Sequence, residues 1–247
     1  LTKRHLQANK GRTVITIIGI IISAAMLTAV FVSMSSLLTF FGDAKLYSDG
    51  AWHAIVTEGS PELQKKIAQD DQVDKVGICA LPKKEMAYQI VSTEAAYKRT
   101  ADIYAGDANG IAMYVTSNYE GKLPSNENEI AIEESVLTKN HLNWKIGDTV
   151  KIPVGIRMNG KGRNAAVTYG AYTSSEYFVK KEEKSFVITA ILKNNLPTSG
   201  NSIIRGMSEE EKQQSGPFML TLKKVNYRSN DVLSQLMKAN GIETGSY

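Results

Sequence analysis

From Thr13 to Gly42 the chain reads TVITIIGIIISAAMLTAVFVSMSSLLTFFG, about 30 residues without one Asp, Glu, Lys, Arg or His. As a helix rising about 1.5 Å per residue it would reach roughly 45 Å, against a hydrocarbon core of about 30 Å. A core helix of a soluble domain rarely runs that long and normally carries a polar stripe. A cleaved signal peptide has an apolar region of only about 7 to 15 residues before its small-residue site, and here the run continues well past Ala24 and Ala25. The stretch reads as a retained transmembrane helix.

Its flanks set its direction. Lys3, Arg4, Lys10 and Arg12 precede it with no acid among them, while Asp43, Lys45 and Asp49 are the first charges after it. The positive-inside rule then keeps the N-terminus in the cytoplasm and puts everything from about Asp43 onward outside the cell membrane. Residues 1–12 form a basic elbow, read either as a short helix on the inner membrane face that turns upward at Gly11 or as a frayed anchor. Within the span Ala25, Ala29 and Ser33 recur every four residues, and Gly19 and Ser23 repeat the spacing. Small residues on one face let a partner helix approach closely, and their hydroxyls can bond across the contact.

About 200 residues remain, enough for a folded ectodomain of one or two lobes. The hydrophobic fraction of 43% and charged fraction of 22% are those of an ordinary globular chain. A net charge of +4, with Lys and Arg interleaved among acids, gives no footprint for nucleic acid. Cys79 stands alone in GICAL, so no intrachain disulfide can form, and it reads as a small buried hydrophobe.

The ectodomain opens with WHAIVTEG, a strand, and SPELQKKIAQ, a helix capped by Ser60 with Pro61 in its first turn. VDKVGICAL and AYQIVS follow as two more strands, a β-α-β-β unit. Near the other end PFMLTLKKV is a strand and SNDVLSQLMKANG a helix. Ser229 or Asn230 is its cap, Val232, Leu233, Leu236 and Met237 face inward, and Gly241 is its stop. The fold class is therefore α+β: one N-terminal transmembrane helix (13–42, with its stalk extension) and an extracytoplasmic domain of two lobes. One lobe, of β-α-β type, takes residues 43–104 and 216–247, and its last strand after Ile242 would be cut short at Tyr247. A mainly-β lobe, 105–215, is inserted between. In it WKIGDTVKIPV and YFVKKEEKSFVITAILKN are long strands, SIIRG a short one, EESVLTKN a helix with Glu133 and Glu134 as first-turn acids, and Glu209 to Glu211 the start of a surface helix behind Ser208.

No catalytic, cofactor-binding or metal residues emerge, and no cofactor is expected. Gly155 to Lys161 fits the opening of a P-loop, but Gly162 stands where the magnesium-binding Ser or Thr must be. The run from Gly160 to Ala165 resembles a dinucleotide fingerprint without a helix behind it, and Asn159-Gly160 between alternating strands is a hairpin signal. His5, His53 and His141 have no second ligand at useful spacing. Ser174-Ser175-Glu176 has no partner for acid/base work. Tyr169, Tyr172, Tyr177 and Phe178 offer either an adaptable contact surface or strand residues packed on a sheet.

The segment GKLPSNENEIAIEESVLTKNHLNWKIGDTVKI resembles the periplasmic-core signature of MacB/FtsX-like ABC transporter permeases. The matching positions are Gly121, Leu123, Pro124, Glu129, Ile130, Ile146, Gly147 and Asp148, and Asn9-Lys10-x-Arg12 before the apolar run is similar to the family's opening. The resemblance implies a porter-like lobe carrying the inserted one, and further transmembrane helices beyond this chain. It also implies a permease that is no enzyme itself and that pairs with a second permease copy in the bilayer. A separate cytoplasmic ATPase subunit would drive it, while what the ectodomain moves or senses stays open among peptides, lipoproteins, antibiotics and cell-wall hydrolase partners, a peptide or protein ligand being one of these. A reading from another class is a single-pass membrane-anchored sensor or enzyme.

Overall fold

The computed structural model describes residues 10–80, 87–89, 100–116, 118–168, 173, 175–193, 202–226 and 228–242. Two compact units result, Leu1–Lys45 and Leu46–Tyr247.

The first unit is built on α1 (Lys10–Asp49), a helix of 40 residues and longer than the expected 13–42. No turn occurs at Gly11, which lies inside the helix, and Lys3 and Arg4 fall outside the described residues. Its apolar side chains point outward on every side, with Ile15 73%, Phe31 68% and Phe41 62% exposed. A helix apolar all round is stable only in an apolar surrounding, and α1 is long and apolar enough to cross a membrane. The hydroxyls of Thr16, Ser23, Thr28 and Thr39 each donate to the carbonyl four residues earlier, Ser23 to Gly19 at 2.8 Å. Their protons are thus satisfied within α1 rather than pointed at a neighbour. The helix ends where Gly50 takes φ +100° and donates to the Leu46 carbonyl at 2.9 Å.

The second unit runs, in order, through β1 (Ala54–Gly59), α2 (Pro61–Ala68), β2 (Val73–Gly77), β3 (Cys79–Ala80), β4 (Ala87–Gln89), β5 (Thr100–Gly106), α3 (Ala108–Tyr114), β6 (Tyr119–Gly121), β7 (Glu129–Glu133) and α4 (Glu134–Lys139). It continues with β8 (Thr149–Asn159), β9 (Ala166–Val167), β10 (Glu176–Leu192), β11 (Ser202–Gly206), α5 (Glu209–Lys212), β12 (Gly216–Leu222) and α6 (Ser229–Ala239). The α+β class expected from the sequence is the one observed.

Strands β1, β12 and β2 form a small antiparallel sheet in that order. Helices α2 and α6 cover one face, Ile67, Leu233, Leu236 and Met237 packing on Val56, Val73, Phe218 and Leu220. Helix α2 starts as anticipated, the Ser60 side chain accepting from the Leu63 N–H at 3.1 Å with Pro61 in the first turn. Helix α6 differs at its start: Ser229 lies inside it, and its hydroxyl accepts from the Asn226 N–H at 2.8 Å instead of capping.

The larger sheet closes on itself. Strand β10 pairs with β8 from Glu176 to Val187 and then with β7 from Val187 to Leu192, while β7, β11, β5, β4 and β8 pair in succession. A ring of six strands results, with β6, β3 and β9 attached outside it. Ile103, Ile130, Ile132, Ile152, Val154, Phe186, Ile188 and Ile203 fill its interior, each fully or almost fully buried. β-Branched residues at every second position suit the pleated inner wall of such a ring.

VDKVGICAL is not one strand. It breaks at Ile78, so that β2 belongs to the small sheet and β3 to the larger one, where it pairs with β5 outside the ring, and β4 is a ring strand rather than part of the first lobe, where AYQIVS was expected. The break is forced by close packing of backbone on backbone. A Cβ on Gly77 would stand 2.2 Å from the Gly110 nitrogen, and one on Gly110 would stand 2.0 Å from the Ile78 carbonyl oxygen. Helix α3, which ANGIAMY did not announce by periodicity, starts at this point because the Asp107 carboxylate accepts from the Gly110 N–H at 2.7 Å. Its Ile111, Met113 and Tyr114 make a third core with Ala190, Leu192 and Ile204 of the ring and Met219 of β12. The hairpin signal at Asn159-Gly160 is a hairpin, but β9 pairs through Asn159↔Ala166, so the connection takes residues 160–165 rather than a two-residue turn. Glu133 is the buried last residue of β7, not a first-turn surface acid, and Ser135 donates to it at 3.0 Å.

Candidate functional site

The motif residues converge on one strand. Gly121 takes φ +90° at the end of β6, where a Cβ would meet the Thr189 carbonyl oxygen at 2.2 Å, and the next residue, Lys122, donates its N–H to that same carbonyl at 2.8 Å. Gly147, at φ +94°, donates to the Ile188 carbonyl at 2.8 Å, and the Ile188 N–H returns to Asp148 at 3.0 Å. Two segments separated by a strand and a helix thus hold Ile188 and Thr189 of β10 along the edge opposite β7. Asp148 closes its own turn by accepting from the Lys145 N–H at 2.8 Å, and Glu129 accepts from the Ser125 N–H and hydroxyl at 2.8 and 2.9 Å. Hydrogen bonding from the Ser125 backbone holds the Glu129 carboxyl below its ordinary pKa. Pro124 and Ile130 are buried and Leu123 packs on the third core. Gly121 with its neighbour Lys122, and Gly147 with Asp148, therefore form a clamp on β10, while Glu129 and Ile130 pair with it as residues of β7 and Leu123 and Pro124 pack beside it.

Beside the clamp the ring opens into a cavity of about 440 Å³ lined by Ile103, Val154 and Phe186 together with Glu127, Glu183, Lys184 and Arg205. Arg205 is held by Glu211: Nη1 donates to Oε2 at 2.8 Å and Nη2 bonds Oε1. That carboxylate also accepts from the Ser208 N–H at 2.9 Å, completing the capping box of α5, and the Arg205 bonds bring its pKa below the ordinary value. The sequence shows Glu209 to Glu211 as a helix start but not that the third of them reaches back to Arg205 in SIIRG.

A second charged group sits where β5, β8 and β10 come together. Arg157 donates through Nε and Nη2 to Glu176 at 2.9 and 2.7 Å and through Nη1 to Asp102 at 2.7 Å. Arg157 and Glu176 are almost wholly buried. Burial raises the Asp102 pKa against the pull of Arg157. Burial works against the Arg157 cation too, yet its two carboxylates hold its pKa above the ordinary value. Glu176 takes two further bonds from Thr173, so the partner that Ser174-Ser175-Glu176 lacked in sequence is an arginine in a neighbouring strand. The only hint was a lone Arg in the alternating run of β8.

The other candidates have structural roles. His53 Nδ1 accepts from the Leu222 N–H at 3.0 Å, and burial lowers its pKa. His141, at φ 53°, ends α4. Burial raises the Cys79 thiol well above its ordinary pKa. Tyr177, 43% exposed, and the half-buried Phe178 are residues of β10, while Tyr169 and Tyr172 lie outside the described residues. Among the described residues no cluster of His, Cys, Asp or Glu could hold a metal. Ala25, Ala29 and Ser33 lie one turn apart along a flank of α1, and Lys10 and Arg12 in its first turn.

No protein family and no curated protein matches the sequence of this chain. Among solved structures, the periplasmic region of MacB from Actinobacillus actinomycetemcomitans is similar with a TM-score of 0.45 at 11% identity, over 76% of this chain and 77% of that one. The extracellular domain of the noncanonic ABC-type transporter YknZ from Gram-positive bacteria is similar with a TM-score of 0.43 at 9% identity, over 75% of this chain and 86% of that one. Both likenesses are too distant to carry a functional conclusion.

Proposed function

We propose that this chain is the permease subunit of an ABC transporter of the MacB/FtsX type, its ectodomain coupling cytoplasmic ATP hydrolysis to export, sensing or activation of a partner. The observation that carries the reading is the clamp. Gly121 from one part of the family-like segment, with its neighbour Lys122, and Gly147 and Asp148 from another meet on Ile188 and Thr189. A signature made of unrelated surface residues would have no reason to converge. The length and apolarity of α1 support a membrane anchor, and the basic residues Lys3, Arg4, Lys10 and Arg12 support a cytoplasmic N-terminus with the second unit outside. In this reading a separate ATPase subunit hydrolyses ATP, a second permease copy packs on α1 through Ala25, Ala29 and Ser33, and closure of the ATPase shifts the helices and with them the ectodomains.

Two measurements test it. A cysteine placed at Lys161 should react with a membrane-impermeant maleimide added to intact spheroplasts, and protection until lysis would reverse the orientation. The protein in nanodiscs should bind a cytoplasmic ABC ATPase encoded beside it and change its hydrolysis rate. Failure to form that complex would leave a single-pass membrane-anchored protein and sink the permease reading.

A further inference from the structure

In the ring, β10 is paired on both edges only from Val187 onward. The Val187 N–H donates to the Asn128 carbonyl at 2.8 Å, away from β8, whereas the Ile188 N–H points to the β8 side and reaches Asp148 at 3.0 Å. Backbone groups alternate along a strand, so those of Ser185 and Glu183 face the same way as those of Val187. The register agrees: Glu183 stands opposite Pro153, which has no N–H to give. No chain among the described residues meets them there. Strand β7, which would continue along this edge, begins only at Glu129, because the Asn126 side chain takes the Asn128 N–H at 3.0 Å and bends the preceding backbone away.

This bare edge is exposed and borders the 440 Å³ cavity, which Ile103, Val154 and Phe186 also line. Its charges are matched with one exception. Glu183 pairs with Lys180 at 3.1 Å, Lys184 with Glu182 at 3.2 Å, and Arg205 with Glu211. Glu127, exposed on the cavity rim, has no ion-pair partner among the described residues. The slot therefore offers donors and acceptors at the two-residue repeat of a strand, apolar lining residues and one unbalanced negative charge. A free strand edge pairs with an extended backbone. The Lys and Glu side chains along β10 deter indiscriminate pairing, so an occupant has to bring matching charge.

We propose that this slot binds an extended peptide segment carrying a Lys or Arg, added as a strand beside Glu183 and Ser185 in the line of β7, with its basic side chain at Glu127. The surface stands whether or not the chain is a permease.

The test uses the full chain in nanodiscs and random heptapeptides displayed for selection against it, with empty nanodiscs as the background. Enriched peptides should contain Lys or Arg and should slow amide exchange at Glu183 and Ser185 by about tenfold or more. Glu183→Pro removes an N–H that the fold does not use, so it should weaken those peptides by about tenfold or more while amide exchange in β12 stays unchanged. Glu127→Gln, a surface change with no packing consequence, should weaken them about two- to fivefold and relax the preference for basic residues. Binders indifferent to both variants, or no enrichment above empty nanodiscs, would overturn the proposal. So would protection of Glu183 and Ser185 that appears without peptide and grows with protein concentration, which would give the edge to a second copy of the chain.

Discussion

The three-stranded sheet buries one face beneath α2 and α6, whereas the six-strand ring buries its inner wall against itself. The roofed sheet draws its core from strands and helices adjacent in sequence at either end of the unit. The ring draws its core from strands scattered between Ala87 and Gly206 and depends on the long β8–β10 pairing to close. The two also treat charge differently. A buried ionic group, Arg157 with Asp102 and Glu176, sits in the wall of the ring, while the sheet carries the half-buried imidazole of His53 at its edge. A roof can be packed with Leu and Met, but a wall shared by three strands has to fix register, and directional bonds do that better than apolar contact.

The largest expected effect breaks the ring and spares the sheet. Arg157→Met leaves the Glu176 carboxylate buried without its cation, and should cost about 3–5 kcal/mol. Native-state amide exchange should show strands β5, β8 and β10 opening well before β12, and uniform loss across both sheets would make the unit a single cooperative block. Next comes the joint between them. Gly110→Ala drives a methyl group into the Ile78 carbonyl and should cost about 1–3 kcal/mol, seen as a lower urea midpoint. A neutral result would mean that the chain crosses from sheet to ring without needing that close approach.

Acid should act on the sheet through His53. Burial disfavours its imidazolium, so the folded pKa lies below the unfolded one, and Nδ1 must stay unprotonated to accept from Leu222. The unfolded chain then takes up a proton that the folded chain resists as pH falls through about 6.5. Stability present above that pH is lost below it, and urea midpoints at about pH 7.5 and about pH 5.5 should differ. His53→Ala should flatten the difference, and an unchanged difference would move its origin elsewhere.

The smallest effect uses a matched pair of helix ends. Helix α6 finishes with Asn240 and Gly241, Gly241 donating to Lys238 at 3.1 Å and Ile242 to Met237 at 2.9 Å. Helix α4 finishes with Asn140 and His141 in the same pattern, His141 donating to Thr138 at 3.2 Å and Leu142 to Leu137 at 2.9 Å. The left-handed residue is Gly241 at φ +68° in the sheet lobe but His141 at φ 53° in the ring. A side chain there costs about 1–2 kcal/mol, part of which Gly returns through its freer unfolded state. His141→Gly should therefore stabilise the unit by roughly 0.5–1 kcal/mol, read as a raised midpoint.

What could be read in advance follows the same division. The strand-helix pairs at the two ends carry local signals, Ser60 and Pro61 at the start of α2 and Gly241 at the end of α6, and those elements appear where the sequence puts them. Helix α3 carried only Asp107 as a signal, too short a segment to show a period. The break at Ile78 was hidden because VDKVGICAL alternates as well across two sheets as within one. Arg157, Glu176 and Asp102 lie on different strands, so no spacing could join them. The cavity residues Glu127, Glu183 and Arg205 likewise come from three separate segments.

By itself the sequence determined that α1 is apolar on every side, that an α+β unit follows it, and that Gly121, Pro124, Gly147 and Asp148 form a turn-rich signature. Those are properties of short windows, set by hydropathy, caps and turn chemistry. Only the tertiary structure decided that the signature grips β10, that β10 closes a ring, and that its edge at Glu183 and Ser185 is left bare. Closure and pairing depend on which distant strand comes alongside, and a chain read in order carries no record of that.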